Sequence, residues 1–196
     1  MTDRSSAKQQ AILQAALQCF SRHGVEATTI DMIREASGAS VGSLYHRFGN
    51  KEGIAAEVYI EGLRDFRRRL NEKLDAATTL EAATHAVVHA NIDWISEHPD
   101  WARFVFNHRV VLSHADREAA FSAEVAEANR AVWQKITALP GFSTLPPWPP
   151  QLFRSLISGP VHDYARQWLD SRCNTSPHEL RDTFAAAAWR AINPGV

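Results

Sequence analysis

The stretch "TTIDMIREASGASVGSLYHRF", residues 28–48, decides the fold. Thr28 or Thr29 can cap a short helix, because a threonine hydroxyl accepts a hydrogen bond from a free backbone N–H of the first turn. Gly38 then ends this helix, since glycine takes the left-handed conformation of a sharp turn without a steric penalty. Ser40 can cap a second short helix. The pattern predicts a helix-turn-helix.

The second of these helices has an apolar face and a polar face. Val41, Leu44 and Phe48 recur at helical spacing and are expected to face the core. The opposite face carries no large apolar group and would fit the major groove of DNA, where few polar edges would stay unpaired. This face holds Gly42, Ser43, His46 and Arg47, with Tyr45 on its flank.

Gly42 on this face and Lys51 just after this helix are both unfavourable for a helix. Gly42 lies inside a helix, where glycine costs about 1 kcal/mol relative to alanine, and Lys51 begins the next helix, where the helix dipole repels a cation. DNA explains both, because a bare backbone approaches bases closely and a helix N-terminus attracts phosphate. A tolerated glycine and a solvated lysine are the alternatives. The predicted DNA-binding residues are Thr28, Thr29, Val41, Gly42, Ser43, Tyr45, His46, Arg47 and Lys51.

The segment "ILQAALQCFSRHGVEATTIDMIREASGASVGSLYHRFGNKEG", within residues 8–53, resembles the N-terminal domain of the TetR family of transcriptional regulators. The family has a break, a turn and the motifs "TTIDMI", "GSLYHRF" and "NKEG" at these positions. The resemblance implies phosphate contacts by Thr29, Tyr45 and Lys51, whereas Arg47 departs from the residue types common at its position. It also implies an all-α homodimer with a ligand pocket in its body, usually a repressor that ligand releases from DNA.

Helical patterns continue through the rest of the chain, with no convincing alternating strand. We predict an all-α fold of about nine helices: a three-helix helix-turn-helix head, residues 1–50, on a larger effector-binding and dimerisation body, residues 51–196. The later helices are predicted over about 80–97, 101–112, 116–139, 150–169 and 178–192, with a proline-rich loop at 139–151.

Composition and charge limit the class of protein. The net charge is −1, so a nucleic-acid surface has to be local. Cys19 and Cys173 lie far apart and indicate no disulfide framework, which fits a reducing cytoplasm. The polar start "MTDRSSAKQQ" has no signal-peptide core, and no apolar run is long enough for a membrane span. We expect a cytoplasmic protein without a membrane partner.

Aromatic and histidine residues are dense in the middle of the body. A mostly apolar cavity with a few polar groups is what a small-molecule site needs, although each of these residues can equally be ordinary core. We expect an apolar effector near Trp101, with the fourth helix carrying its signal to the head. The predicted ligand-binding residues are Trp94, Trp101, Phe104, His108 and Trp133.

The sequence gives weaker evidence for a metal site or an enzyme active site. His85, His89 and Asp93 share helical spacing that a metal could use, but no fourth ligand is evident, and we predict neither a metal nor a cofactor. The sequence has no G-x-S-x-G, P-loop, dinucleotide fingerprint or C-x-x-C pair, so we predict no enzyme. The alternative to a DNA-binding regulator is a helical small-molecule-binding protein or an enzyme without a DNA role.

The last two predicted helices carry apolar stripes that could form a four-helix interface between two subunits. The alternative is that both stripes are buried within one subunit. The stripe residues are Phe153, Ile157, Val161, Tyr164 and Trp168 on the first helix, and Leu180, Phe184, Ala187 and Ala188 on the second.

Overall fold

The computed structural model describes residues 2–114 and 117–193, and these residues form helices without a strand. The all-α fold class is confirmed. The α-helices are α1 Thr2–Ala27, α2 Ile30–Ser37, α3 Val41–Phe48, α4 Lys51–Asp75, α5 Leu80–Glu97, α6 Pro99–Asn107, α7 Val111–His114, α8 Glu118–Thr137, α9 Pro150–Leu169 and α10 Arg181–Ile192. Short 3₁₀ helices occupy Phe142–Thr144 and Pro177–Leu180. None of the helices in these described ranges has the length and apolar character of a membrane span.

The described part of the chain has ten α-helices rather than nine. The extra one arises because the helix predicted over 101–112 is interrupted between α6 and α7. There the amide of Val111 donates to the carbonyl of His108 at 3.1 Å, which makes a turn. The sequence did not reveal this break, because it contains no glycine or proline and the apolar residues keep their helical spacing across it. The bounds of α5 and α9 are as predicted.

The helix-turn-helix forms with the predicted caps. The hydroxyl of Thr29 accepts a hydrogen bond from the amide of Met32 at 3.2 Å, and the hydroxyl of Ser40 accepts one from Ser43 at 3.2 Å. Gly38 has φ 66° and ψ 11°, the left-handed conformation. The two short helices and their turn therefore follow from signals within the segment itself.

The contacts group the chain into two compact units. The head unit comprises Met1–Leu63 and Asp100–Ser122, and the body unit comprises Arg64–Pro99 and Ala123–Val196. These bounds differ from the predicted domains 1–50 and 51–196, because α6 and α7 group with the N-terminal helices and α4 contributes to both units.

In the head unit, α6 packs directly on α1 and α4. The rings of Phe104 and Phe20 stack with centroids 5.6 Å apart. The indole N–H of Trp101 donates to the backbone carbonyl of Val58 at 2.8 Å. A β-carbon placed at Gly62 would lie only 2.4 Å from the indole of Trp101. The absence of a side chain at Gly62 thus lets the indole lie against the backbone of α4.

In the body unit, α5 packs against α9 and α10 and carries a buried polar contact. The side-chain amide of Asn91 donates to the carbonyl of Val87 at 2.8 Å, and its oxygen lies 2.7 Å from Nε2 of His162. Burial lowers the pKa of His162 to about 4, with the charges of Arg166 and Arg154 acting in the same direction. The imidazole is therefore neutral near pH 7 and donates Nε2–H to Asn91.

The first prediction concerns the close contact between Gly62 and Trp101. Gly62→Ala should lower the free energy of unfolding by about 1–3 kcal/mol, because the new methyl group overpacks the contact with the indole. Gly42→Ala is the matched control, since a β-carbon there meets no atom within 4 Å. Urea unfolding of both variants measures the difference. Equal stabilities of the two variants would contradict the close approach.

Candidate DNA-binding surface

The exposed face of α3 carries short and polar side chains, together with the larger side chains of Val41 and Tyr45. Leu44 and Phe48 are buried, as predicted, but Val41 is 38% exposed. The expectation that Val41 faces the core was wrong, because it lies in the first turn of α3, beyond the part that is packed against the core. Tyr45 is 51% exposed. Gly42 and His46 are exposed too, and Ser43 and Arg47 are half-buried.

The two adjacent threonines play different parts. Thr28 is 1% exposed, and its hydroxyl donates to the carbonyl of Gly24 at 2.7 Å. This hydroxyl belongs to the end of α1 and is not presented at the surface, in contrast to the sequence prediction. Thr29 is exposed and caps α2. Sequence alone does not separate the pair, since either one is a suitable cap.

The structure requires glycine at one position of this segment but not at another. A β-carbon at Gly53 would lie 1.9 Å from the carbonyl oxygen of Phe48, so the tight passage from α3 to α4 requires glycine there. Gly42 has neither a close neighbour nor a left-handed conformation. The fold therefore gives no reason for Gly42, whereas close approach of a ligand to the backbone of α3 would.

Lys51 begins α4, yet its side chain contacts α1. Its Nζ donates to the backbone carbonyl of Glu26 at 2.7 Å. Asn50 caps α4, with its side-chain oxygen accepting from the amide of Gly53 at 2.7 Å. Sequence reasoning missed the contact with Glu26, because a backbone carbonyl leaves no signature in the residue type.

A small concavity lies beside Lys51. Its volume is about 100 Å³. The residues that line it come from α1, α4 and α7 and are Val25, Glu26, Lys51, Glu52, Ala55 and Val111. Val25, Ala55 and Val111 are the apolar part of this lining, and the charged end of Lys51 reaches the carbonyl of Glu26.

Three of the predicted ligand-binding residues lie in the head unit. The N–H of Trp101 is used by α4, as described above. Phe104 is 3% exposed and stacks on Phe20. The ring of His108 lies 4.7 Å from that of Phe104, and burial lowers the pKa of His108. Trp101 and Phe104 therefore serve to dock α6.

The other two, Trp94 and Trp133, lie in the body unit. Trp94 is 3% exposed, and its indole N–H donates to the carboxylate of Asp65 at 3.0 Å. Trp133 is half-buried, with its ring centroid 5.4 Å from those of both Phe142 and Phe153. Of the five predicted residues, three thus belong to the head unit and two to the body unit.

Two of the three candidate metal ligands on α5 lie close to charged side chains of other helices. Nε2 of His89 lies 3.0 Å from Oδ1 of Asp182, and Asp93 lies 3.1 Å from Nζ of Lys73. The pKa of His89 is lowered, with burial as the largest cause. His85 approaches His89 only with a ring separation of 6.0 Å. Within residues 2–114 and 117–193, no group of three metal-ligating side chains is brought together.

Residues 12–58 match the family of bacterial regulatory proteins called tetR. This match covers the helix-turn-helix and the helices on either side of it. The HTH-type transcriptional repressor AcnR of Corynebacterium glutamicum is 40% identical over 52 residues, which is 26% of this chain and 28% of AcnR. The repressor KstR2 of Rhodococcus jostii is 35% identical over 85 residues, 41% of this chain and 42% of KstR2. The matched region thus spans less than half of either relative.

Solved structures resemble nearly the whole chain. A TetR family transcription regulator from Marinobacter aquaeolei has a TM-score of 0.73 and 20% identity, with 98% of each chain covered. FadR from Bacillus subtilis, in complex with stearoyl-CoA, has a TM-score of 0.75 and 16% identity, with 93% of this chain and 98% of FadR covered. The fold is that of TetR-family regulators. The matched family model and these solved structures are named as regulators of transcription rather than as enzymes.

The open position of Gly42 makes the second prediction. Gly42→Ala should leave the free energy of unfolding at least as high as in the wild type, because the β-carbon meets no protein atom and alanine favours the helix. The same substitution should weaken binding to a duplex selected from a random-sequence pool by at least about tenfold, a cost of about 1.4 kcal/mol for a methyl group between α3 and the bases. Fluorescence anisotropy measures the affinity. Unchanged affinity would mean that α3 does not approach DNA at this position.

Proposed function

We propose that this chain is a ligand-responsive DNA-binding transcriptional regulator that represses from a palindromic operator as a homodimer. The observation that carries the proposal is the exposed face of α3 in a TetR-family domain, with an unobstructed backbone at Gly42. An eight-residue helix with exposed small and polar side chains fits the width of the major groove.

The DNA contacts follow from where each side chain lies. Thr29 and Tyr45 are exposed at the edges of the surface, which suits contacts with phosphate oxygens that fix register. His46 and Arg47 lie on α3 with N–H donors, and the acceptor atoms of guanine are the natural partners of arginine. The proposed DNA-binding residues are Thr29, Val41, Gly42, Ser43, Tyr45, His46 and Arg47.

A homodimer is proposed because one α3 reads one half-site and a palindrome has two. Three residues of the predicted apolar stripe on α9, Phe153, Ile157 and Val161, are buried within the single chain. We therefore propose a dimer surface that does not include them. Ala188 on α10 is buried as well, whereas Tyr164, Trp168, Phe184 and Leu180 are half-buried and Ala187 is exposed.

The exposed sides of α9 and α10 are better suited to a partner helix. Leu152 is 41% exposed on α9, and the exposed residues Ser155 and Gly159 follow it at helical spacing. On α10, the exposed residues at similar spacing are Thr183 and Ala187. Such short side chains let helices from two subunits approach closely, as in a four-helix arrangement.

The effector is proposed to be a molecule with a long apolar part. Two proteins of this fold support the class: FadR of Bacillus subtilis was solved with stearoyl-CoA, and KstR2 of Mycobacterium tuberculosis is a ketosteroid regulator. In this chain Trp133, with Phe142 and Phe153, offers the aromatic contacts. The indole N–H groups of Trp94 and Trp101 are already bonded within the fold, to Asp65 and to the carbonyl of Val58.

The third prediction concerns DNA. The protein should bind a palindromic duplex selected from a random-sequence pool with two chains per duplex. With about six to ten phosphate contacts, affinity should fall roughly 10³–10⁵-fold between 50 and 200 mM salt, because bound counterions are released. Anisotropy titrations at several salt concentrations and sedimentation of the complex measure both quantities. Failure to select any duplex would refute the proposal and leave the alternative of a helical protein without a DNA role.

Paired variants test the dimer surface in the same assay. Ala187→Arg places a charge on the exposed side of α10 and should yield folded monomers that bind the palindrome poorly. Ala131→Arg adds the same charge at an exposed position of α8 and serves as control. If both variants dimerise equally, the dimer interface does not include Ala187.

The fourth prediction concerns the effector. Stearoyl-CoA should weaken binding to the selected duplex by about 5–150-fold, the range of a coupling of about 1–3 kcal/mol. Trp133→Ala should bind the duplex as the wild type does and respond less to stearoyl-CoA. Anisotropy with and without the ligand measures both. A full response in Trp133→Ala would place the site away from this aromatic cluster.

A further inference from the structure

The part of α8 that belongs to the body unit, residues 123–137, buries little apolar surface. Of these residues, all of which the structure describes, only Ile136 is buried. The neighbouring α5, by comparison, has ten buried residues. Most of the stability of a helix in a protein comes from packing of its apolar face. The attachment of α8 therefore has to depend more on its polar side chains than that of α5 does.

Ion pairs at two positions join this part of α8 to α4. The guanidinium group of Arg64 donates to both carboxylate oxygens of Glu124, from Nε at 3.0 Å and from Nη2 at 2.8 Å. The hydrogen bond from Arg64 lowers the pKa of Glu124, so that this carboxylate is ionised near pH 7. Lys135 donates from Nζ to the carboxylate of Asp75 and, at 3.2 Å, to the side-chain oxygen of Asn71. All of these residues lie in the body unit.

The two ion pairs have the same spacing on both helices, with their charges in opposite order. Glu124 and Lys135 are eleven residues apart on α8, and Arg64 and Asp75 are eleven residues apart on α4. Eleven residues make about three turns, so the pairs lie along one side of each helix and the helices run parallel. A shift of α8 by three turns would bring Lys135 to Arg64 in one direction and Glu124 to Asp75 in the other. Like charges would then meet, so the order of signs fixes the register of α8 on α4.

These ion pairs hold α8 in register without holding it tightly. The side chains of Arg64 and Glu124 are 47% and 39% exposed, and that of Asp75 is 63% exposed. Exposed ion pairs contribute little to stability, because water and salt screen their charges. Since the apolar packing is sparse as well, α8 can separate from α4 at a smaller free-energy cost than the well-packed α5 can leave its neighbours.

The other side of α8 carries the aromatic cluster proposed above for the effector. Trp133 follows Glu124 by nine residues, about two and a half turns, and so lies on the opposite side of the helix. Its ring contacts those of Phe142 and of Phe153 on α9. A movement of α8 away from α4 therefore also moves Trp133 relative to Phe153.

We propose that residues 123–137 of α8 form a movable flap of the body unit, which the two ion pairs with α4 hold closed in a single register. The flap opens when these pairs separate, and its opening gives an apolar ligand access to the aromatic cluster around Trp133. The role in ligand entry rests on the proposed function, whereas the opening itself is measurable in the protein without effector or DNA.

Hydrogen exchange of the amides of α8 is the first measurement. Lys135→Glu places a carboxylate beside Asp75 and should speed exchange over residues 123–137 by about two- to fivefold, as for the loss of one exposed ion pair. Gln134→Glu is the matched control, because it adds a carboxylate at an exposed position of the same turn. Asp75→Lys combined with Lys135→Glu reverses the pair and should restore the wild-type rate. Exchange in Lys135→Glu no faster than in Gln134→Glu, or no recovery in the double variant, would overturn the proposal.

The salt dependence of the same exchange is the second measurement. At about 1 M salt the screening length falls to about 3 Å, so α8 of the wild type should exchange about two- to fivefold faster than at low salt. The amides of α5, which is held by apolar packing, should change little and show that the body unit stays folded. Exchange of α8 that does not respond to salt would mean that ion pairs do not hold it, and the proposal would fall.

Stopped-flow binding of stearoyl-CoA tests the part that rests on the proposed function. Lys135→Glu should associate with stearoyl-CoA about two- to fivefold faster than the control Gln134→Glu, because its flap is open more often. The double variant with the reversed pair should associate at the wild-type rate. Equal rates in all of these proteins would refute entry through the flap. If the wild type does not bind stearoyl-CoA, the proposed effector fails, while the exchange result still decides whether α8 opens.

Discussion

Burial of a few apolar side chains of α2 and α3 is the constraint on which the DNA-binding surface depends. Helices as short as the eight residues of α2 and α3 are not stable alone, because nucleation costs more than so few hydrogen bonds return. Ile33, Leu44 and Phe48 supply the missing stability by packing into the core of the head unit. The exposed residues Gly42, Tyr45 and His46 of α3 lie outside this core, and their side chains can be selected for recognition.

A second constraint is the close approach of α6 to the backbone of α4. The indole of Trp101 occupies the space that a side chain at Gly62 would fill and bonds to the carbonyl of Val58. This contact gives two aromatic residues in the middle of the chain a structural role. Trp101 and Phe104 join α6 to the N-terminal helices, so aromatic density there does not by itself indicate a cavity. The hypothesis of an effector site now depends on the cluster around Trp133.

Much of the candidate site could be predicted because its signals are local. A cap lies within three residues of the amide it satisfies, and the left-handed turn at Gly38 needs only one glycine. The choice between Thr28 and Thr29 could not be predicted, since both hydroxyls can cap a helix and only packing decides which one is buried. The exposure of Val41 was missed for the same reason: helical spacing gives the face but not how far the core extends along it.

The sequence by itself determined the helical class, the helix-turn-helix with its caps and turn, and the match of residues 12–58 to a family of regulatory proteins. Periodicity and capping act over three or four residues, so a linear pattern contains them. Only the tertiary structure decided which residues meet across the chain: Lys51 with the carbonyl of Glu26, and Trp101 with that of Val58. Both acceptors are backbone atoms, which every residue possesses, and for that reason no choice of side chain reveals them before the chain has folded.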